Sequence, residues 1–125
     1  MRELRNVPHF AVTTLTGNTV RYVDVWQQHP LVLVVLPPTA AEEDAEYLAR
    51  LHEHADTLST QGAAIVVTRD AIPGLPAPAV VIADRWGEIV SMTTADFAAL
   101  PGGTAIAEWL QYLEHRCPEC EGEAR

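Results

Sequence analysis

The apolar positions of this chain fall into short runs and helical stripes, which predict a sheet with helices packed against it. Residues 31–36 form a continuous aliphatic run that stops at two prolines, a pattern typical of a strand buried on both faces. Residues 10–14 and 19–23 have strand character and flank a turn rich in Gly and Asn. We therefore predict an N-terminal hairpin followed by the central strand.

A single amphipathic helix is predicted after the central strand. Its apolar residues recur at spacings of three and four, with charged residues between them, at Ala41, Ala45, Leu48, Leu51, Ala55 and Leu58. The pattern ends before Gly62, and the apolar residues 63–67 predict a second buried strand. Strand, helix and strand then form a βαβ unit, which we expect to be parallel and right-handed.

The second half of the pattern predicts a hairpin and a last helix. Residues 68–77 contain Pro and Gly at positions that a regular helix would not tolerate. Strands are predicted at residues 79–83 and 88–92, around a turn in which Gly87 can adopt a left-handed conformation. The last helix is marked by an apolar stripe formed by Ile106, Trp109, Leu110 and Leu113. We predict that this helix ends at Cys117.

Length and composition indicate one folded domain. The chain has 125 residues, of which 48% are hydrophobic and 20% charged, so it is long enough for a single hydrophobic core. We assign residues 1–116 to this α/β domain and residues 117–125 to a polar C-terminal tail.

The charge of the chain restricts its partners. With 17 acidic against 8 basic residues, the net charge is -9, a field that repels phosphate, so neither nucleic acid nor an anionic membrane is an expected partner. The first residues lack the apolar segment of a secretory signal, and no apolar run is long enough to span a bilayer. We therefore expect a cytoplasmic protein, in which two cysteines would stay reduced.

Two motifs resemble a known family. The segment Pro8-His9-Phe10, followed by residues 15–20, is similar to the "P-x-F … G-x-x-V" opening of the alkyl hydroperoxide reductase and thiol-specific antioxidant redoxins. Residues 81–90 are similar to the family's "v-I-D-x-x-G-x-I-v" hairpin, and the likeness extends over residues 8–115. The resemblance implies a thioredoxin-like fold, with a central mixed β-sheet flanked by helices and an N-terminal hairpin, and it implies a cis-proline at Pro78.

The chain departs from this family where the family carries its reactive cysteine. That thiol lies between the central strand and the first core helix, where the helix N-terminus lowers its pKa. Here the corresponding positions are Pro38, Thr39, Ala40 and Ala41, and no cysteine or serine stands among residues 37–44. Thr39 and Glu42 instead fit a capping box. We therefore expect no peroxidase turnover through this degenerate site.

A second departure is the connection between residues 67 and 79. Thioredoxins place a helix there, whereas this chain has about ten residues rich in proline, each able to span roughly 3.3 Å. If the strand order follows the family, this loop passes over the C-terminal end of the central strand. We therefore expect the degenerate site to be partly covered.

The Cys117-Pro118-Glu119-Cys120 motif is the one constellation with obvious chemistry, and three interpretations stay open. The first is a dithiol in which Cys117 is the nucleophile and Cys120 resolves the mixed disulfide, although a helix C-terminus opposes a thiolate. The second is a zinc site with His115 as a further ligand, completed by a second copy of the chain in a two-fold dimer. The third is an acidic tail whose thiols have no role.

The sequence favours a protein without the family's catalysis. We expect a non-peroxidase binding module or redox-associated module, acting through a protein partner, a homodimer or the C-terminal cysteine pair. The alternatives are a thiol-disulfide oxidoreductase using Cys117 and Cys120, and a zinc-clasped homodimer. Trp86, at the predicted hairpin tip, is a candidate contact residue. Asp84 matches a family position but also has the character of a turn residue.

Overall fold

A computed structural model describes residues 5–38, 42–60, 62–94 and 100–124, with the backbone alone for residues 43, 55 and 114–124. Its elements in chain order are β1 (Ala11–Thr13), β2 (Thr19–Arg21), a 3-10 turn (Tyr22–Asp24), β3 (Leu31–Val35), α1 (Glu42–Glu53), α2 (Ala55–Thr60), β4 (Ala64–Thr68), β5 (Ala79–Ala83), β6 (Ile89–Thr93) and α3 (Gly103–Ala124). Among these residues no helix combines the length and the hydropathy needed to cross a membrane.

The strands form a mixed four-stranded sheet and a separate hairpin. The sheet order is β4-β3-β5-β6, with β3 parallel to β4 and antiparallel to β5, which in turn is antiparallel to β6. β1 and β2 pair only with each other along their length. This arrangement confirms the predicted α/β fold with a mixed sheet, helices and an N-terminal hairpin.

Both faces of β3 are covered, which explains its continuous aliphatic sequence. Leu31, Leu33 and Val35 belong to a core shared with the hairpin and the 3-10 turn. The alternate residues Val32 and Val34 belong to a second core, under α1, α2 and α3. Successive side chains of a strand point to opposite faces, so an element sandwiched between two layers needs apolar residues at every position.

The predicted βαβ helix is divided in two. α1 ends at Glu53 and α2 begins at Ala55, and the amide of His54 donates to the Leu51 carbonyl in a tighter turn (3.0 Å). The division lies beside the first turn of α3, where the His54 ring packs against Gly103 so closely that a Cβ at Gly103 would collide with it. A tertiary contact of this kind leaves no mark on the periodicity of the sequence.

The last helix is longer than predicted. The sequence predicts an end at Cys117, because proline is disfavoured inside a helix, but α3 continues to Ala124 and includes Pro118. Pro118 removes only one backbone hydrogen-bond donor from the helix, and the glutamates that follow it favour helix formation, so the helix can continue. Residues 117–124 are therefore helical in backbone, whereas the sequence predicts that the helix ends at Cys117.

Candidate functional site

The degenerate site lies at the C-terminal end of β3. Pro37 and the exposed Pro38 follow this strand, and Glu42 opens α1. Thr39, Ala40 and Ala41 lie outside the described residues, so the capping box predicted for Thr39 stays a prediction. The chemistry expected of a redox site depends on the segment of residues 37–44, whose side chains include no thiol or serine hydroxyl.

A buried ion pair closes this end of the sheet. Arg69 Nη1 lies 2.5 Å from an Asp44 carboxylate oxygen, and the same nitrogen donates to the Pro37 carbonyl at 2.9 Å. The Asp44 side chain is 2% exposed and that of Arg69 is 26% exposed. Since Arg69 directly follows β4, the pair joins the crossing loop to α1 and to the end of β3. We call the group of Pro37, Asp44 and Arg69 the strand-end clamp.

The crossing loop follows the predicted course. Residues 69–78 contain no helix, and they connect β4 to β5 across the C-terminal end of β3, which lies between those strands. Thr13 donates its backbone amide to Asp70 at 2.7 Å, so the hairpin also holds the loop. The Ala77–Pro78 peptide bond is cis, at the position that the family resemblance implies.

Sequence reasoning missed the strand-end clamp. The predicted apolar stripe assigned Ala45 to the core, but Ala45 is exposed, and the buried face of α1 instead carries Asp44, Tyr47 and Leu51. A carboxylate three residues before one buried side chain and seven before another lies on the same helix face. The position of Asp44 on this face, together with Arg69 directly after a buried strand, was the signal in the sequence from which the ion pair could have been predicted.

Asp84 acts as a turn residue. Its Oδ1 accepts hydrogen bonds from the backbone amides of Trp86 and Glu88, each at 2.9 Å, and its side chain is buried. Trp86 is 52% exposed at the tip of the turn, and its carbonyl accepts from Trp26 Nε1 at 3.1 Å. The turn interpretation of Asp84 therefore matches its observed hydrogen bonds.

Beside this turn lies an unsatisfied hydroxyl. Tyr22 is 2% exposed, and its Oη finds no hydrogen-bond partner among the described residues. Burial, together with the nearby Asp84 carboxylate, raises the pKa of Tyr22 to about 12. The Tyr22 ring stacks against Phe10 with a centroid separation of 5.4 Å. The phenol is thus held by ring packing rather than by its oxygen.

The backbone places positions 117 and 120 three residues apart in α3, hence on one helix face. The side chains of His115, Cys117 and Cys120 lie outside the described part of the chain, so their roles as dithiol or zinc ligands stay predictions. Within the residues that are described, no group of three His, Cys, Asp or Glu side chains is arranged to hold a metal ion.

An apolar groove opens along the outer edge of β4. Its volume is about 660 Å³, and it lies between α1 on one side and the β1–β2 hairpin on the other. The apolar side chains in its walls include Leu15, Leu48, Ile65 and Val67. We call this feature the β4-edge groove, and the sequence analysis did not predict it.

Comparison with known proteins supports the fold. No protein-family model matches the sequence, and no curated protein is significantly similar to it. Among solved structures, the reduced 2-Cys peroxiredoxin of Plasmodium vivax aligns with a TM-score of 0.71 and 10% identity, over 88% of this chain and 80% of that one. A thioredoxin-family thiol:disulfide interchange protein of Chlorobium tepidum aligns with a TM-score of 0.64 and 9% identity, over 90% and 98% of the two chains.

A third structure extends the range of similar proteins. The thioredoxin domain of a thiol-disulfide oxidoreductase from Bacteroides vulgatus aligns with a TM-score of 0.63 and 12% identity, over 90% of this chain and 97% of that domain. Identities this low carry information about the fold alone. The chain therefore has a thioredoxin-like fold, the architecture of both peroxiredoxins and thiol:disulfide oxidoreductases.

Proposed function

We propose that this protein is a cytoplasmic, thioredoxin-like binding module that performs no thiol chemistry at the end of β3 and acts by contacting a protein partner. The strand-end clamp is the observation that supports this most strongly. Where a thiol would need access to solvent and to substrate, a crossing loop is fixed in place by Arg69, and residues 37–44 include neither a cysteine nor a serine.

Charge supports the same proposal. Glu42 stands at the first turn of α1 and Asp44 lies just after it, so carboxylates hold the positive end of the helix dipole. In a redox site this end of the helix stabilises a thiolate. A helix start that carries carboxylates in place of a thiol suits a structural role.

The test compares two thiol-dependent reactions. Wild type and the Cys117→Ser, Cys120→Ser double variant are assayed for hydrogen peroxide consumption and for insulin reduction, both with dithiothreitol as reductant. We expect neither protein to exceed the rate with dithiothreitol alone. Turnover in the double variant would show a reactive group elsewhere and would refute the proposal.

A thiol-disulfide oxidoreductase is the second candidate, favoured by the continuation of α3. Because positions 117 and 120 share one helix face, the spacing suits a nucleophile and a resolving thiol. Cys117 would attack a substrate disulfide and release one substrate thiolate. The Cys120 thiolate would then attack the Cys117 sulfur of the mixed disulfide and displace the second substrate thiolate, leaving a Cys117–Cys120 disulfide and a reduced substrate. Insulin reduction by wild type that the double substitution abolishes would select this candidate.

A zinc-clasped homodimer is the remaining alternative for the same cysteines. Two copies would offer four thiolates, with His115 as a further ligand, and zinc would keep the thiols deprotonated. Metal analysis and sedimentation of protein purified without chelator decide the matter. Zinc at one ion per two chains, with dissociation on adding chelator, would establish the clasp.

A further inference from the structure

We propose that the β4-edge groove binds an extended, basic and apolar segment of a partner protein, which adds to the sheet as a strand beside β4. This inference names the contact surface of the proposed binding module and rests on that proposed function. Its three grounds are the open hydrogen-bonding edge of β4, the shape of the groove and the charge around it.

The outer edge of β4 is open only in its N-terminal half, because Thr14 and Thr68 form an antiparallel bridge at its C-terminal end. Ala64 donates to the Pro30 carbonyl at 2.8 Å, and Thr68 accepts from the Leu36 amide at 2.8 Å, so residues 64, 66 and 68 face β3. Ile65 and Val67 therefore present their peptide groups to the opposite edge. Val67 meets the hairpin there, since its carbonyl accepts from the Leu15 amide at 3.2 Å.

The peptide groups of Ile65 remain available for an added strand. No hydrogen bond within the described part of the chain reaches its N–H or C=O from the outer edge. An exposed edge of this kind pairs readily with another chain, and proteins usually protect such an edge with charges, prolines or bulges. β4 has the sequence Ala-Ile-Val-Val-Thr and carries none of these protections.

The groove has the shape that strand addition requires. The β4 edge forms its floor, and the two layers that sandwich the sheet form its walls: Leu48 and Ala49 of α1 on one side, Leu15 and Val20 of the hairpin on the other. An added strand sends alternate side chains to opposite faces of the sheet, so each wall receives every second side chain. The α1 wall is mainly apolar, whereas the hairpin wall also carries Thr14, Thr16 and Asn18, so the segment should present apolar side chains to α1 and small polar side chains to the hairpin.

The negative charge of the protein favours basic residues at the ends of the bound segment and disfavours binding of a second copy of this chain. Among the described residues that line the groove, His52 is the one that titrates, whereas exposed positions of α1 carry Glu42, Glu46 and Glu53 against a single arginine, Arg50. The chain carries a net charge of -9, so a second copy brought edge to edge would oppose like charges. A segment with arginine or lysine at its ends is attracted by the same field.

The test measures the binding of a defined peptide by fluorescence anisotropy. The probe is a dye-labelled, end-capped peptide of sequence Arg-Val-Thr-Val-Thr-Val-Arg, and its controls are the same peptide N-methylated on alternate amides and a version flanked by glutamate. We expect the probe to bind, with at least tenfold weaker binding of both controls. The affinity should also fall as salt is raised from 50 to 500 mM.

Matched variants locate the site. Ala49→Trp fills the groove from an exposed helix position, and Ala71→Trp makes the same change at an exposed position of the crossing loop. We expect the first variant to weaken probe binding at least tenfold and the second to stay within twofold of wild type. Equal effects of the two substitutions, or no binding of the probe at millimolar concentration, would overturn the inference.

Two further results would also overturn the inference. Equal binding of the N-methylated peptide would mean that the groove takes apolar side chains without strand pairing. A wild-type dimer in sedimentation that Ala49→Trp dissociates would assign the groove to a second copy. The thiol assays do not involve the groove, so the two proposals can fail separately. Insulin reduction by wild type would refute the proposed function, and the peptide measurement would still be interpretable. Absence of peptide binding in a protein without thiol turnover would refute this inference alone.

Discussion

Arg69 and Asp44 form a buried ion pair that holds the crossing loop against α1. The arginine also donates to the Pro37 carbonyl, so one guanidinium joins three segments that are distant in sequence. Two charges with little access to water interact strongly, but each has lost hydration in the folded state. The largest effect on stability is therefore expected when one partner is removed and the other charge remains without its counterion.

Arg69→Leu is expected to destabilise the protein by about 1.5–3 kcal/mol, because the buried Asp44 carboxylate and the Pro37 carbonyl would lose a charged hydrogen-bond donor. Urea unfolding monitored by circular dichroism measures the change. Arg21→Leu is the matched control, since Arg21 and Asp24 form an exposed pair whose loss should cost about 0–1 kcal/mol. Similar losses in the two variants would contradict the assigned importance of the strand-end clamp.

Removal of the hydroxyl group should have opposite effects at two buried tyrosines. Tyr47 Oη donates to the Pro101 carbonyl at 2.7 Å, so Tyr47→Phe is expected to cost about 0.5–1.5 kcal/mol. Tyr22→Phe removes a hydroxyl that is buried without a partner among the described residues, and it should be neutral or stabilising. Chemical denaturation of the two variants is the measurement. A Tyr22→Phe variant less stable than Tyr47→Phe would show that the Tyr22 oxygen does have a partner.

Stability should fall between pH 10 and pH 12. Burial is the main cause that raises the pKa values of Tyr22 and Tyr47 from 10.0 to about 12. In this window the unfolded tyrosines lose their protons while the folded ones keep theirs, so the folded state binds more protons and each rise in pH favours unfolding. Below pH 10 the contribution is fully present.

The size of this alkaline effect is about 2–3 kcal/mol for each tyrosine, from 1.36 kcal/mol per pKa unit. The chain contains no lysine, which would otherwise titrate in the same range. The free energy of unfolding is measured in urea at several pH values, for wild type and for a variant carrying Tyr22→Phe and Tyr47→Phe. An equally steep decline in the double variant would assign the alkaline transition to other groups.

Gly87→Ala is expected to destabilise the β5–β6 hairpin by more than about 1 kcal/mol. Gly87 has φ of +91°, a conformation that costs a residue with a side chain about 1–2 kcal/mol. An added Cβ would also lie 3.0 Å from Tyr22 Oη. Combining Gly87→Ala with Tyr22→Phe relieves the contact but not the backbone cost, so the double variant should recover only part of the loss. Full recovery would show that φ contributes nothing.

The cysteines should be dispensable for folding. Both follow Leu113, which among the described side chains of α3 is the last one in the hydrophobic core. The melting temperature of monomeric protein carrying Cys117→Ala and Cys120→Ala should equal that of wild type measured with chelator and reductant. A double variant that fails to fold as a monomer would place these residues in the core.

The elements at the centre of the sheet could be predicted because local sequence determines them. The aliphatic run of residues 31–36 and the strand at residues 79–83 need apolar side chains on both faces, and the sequence shows this directly. The β4-edge groove depends on how the hairpin packs beside α1. The division between α1 and α2 lies at His54, whose ring contacts Gly103, far away in sequence. Such tertiary contacts impose no period on the chain.

The N-terminal segment pairs with the turn between β5 and β6, far along the chain. Ile89 donates to the Arg5 carbonyl at 2.8 Å, and Val7 donates to the Gly87 carbonyl at 2.9 Å. During synthesis, at about 5–20 residues per second, the first residues therefore wait for several seconds before their partners leave the ribosome. The hairpin β1–β2 can close early, but its docking on the sheet requires a β5–β6 hairpin that is made much later. Part of the hydrophobic core that the hairpin covers thus stays open until translation is well advanced, which makes this interval the stage at which the nascent chain is most exposed to aggregation.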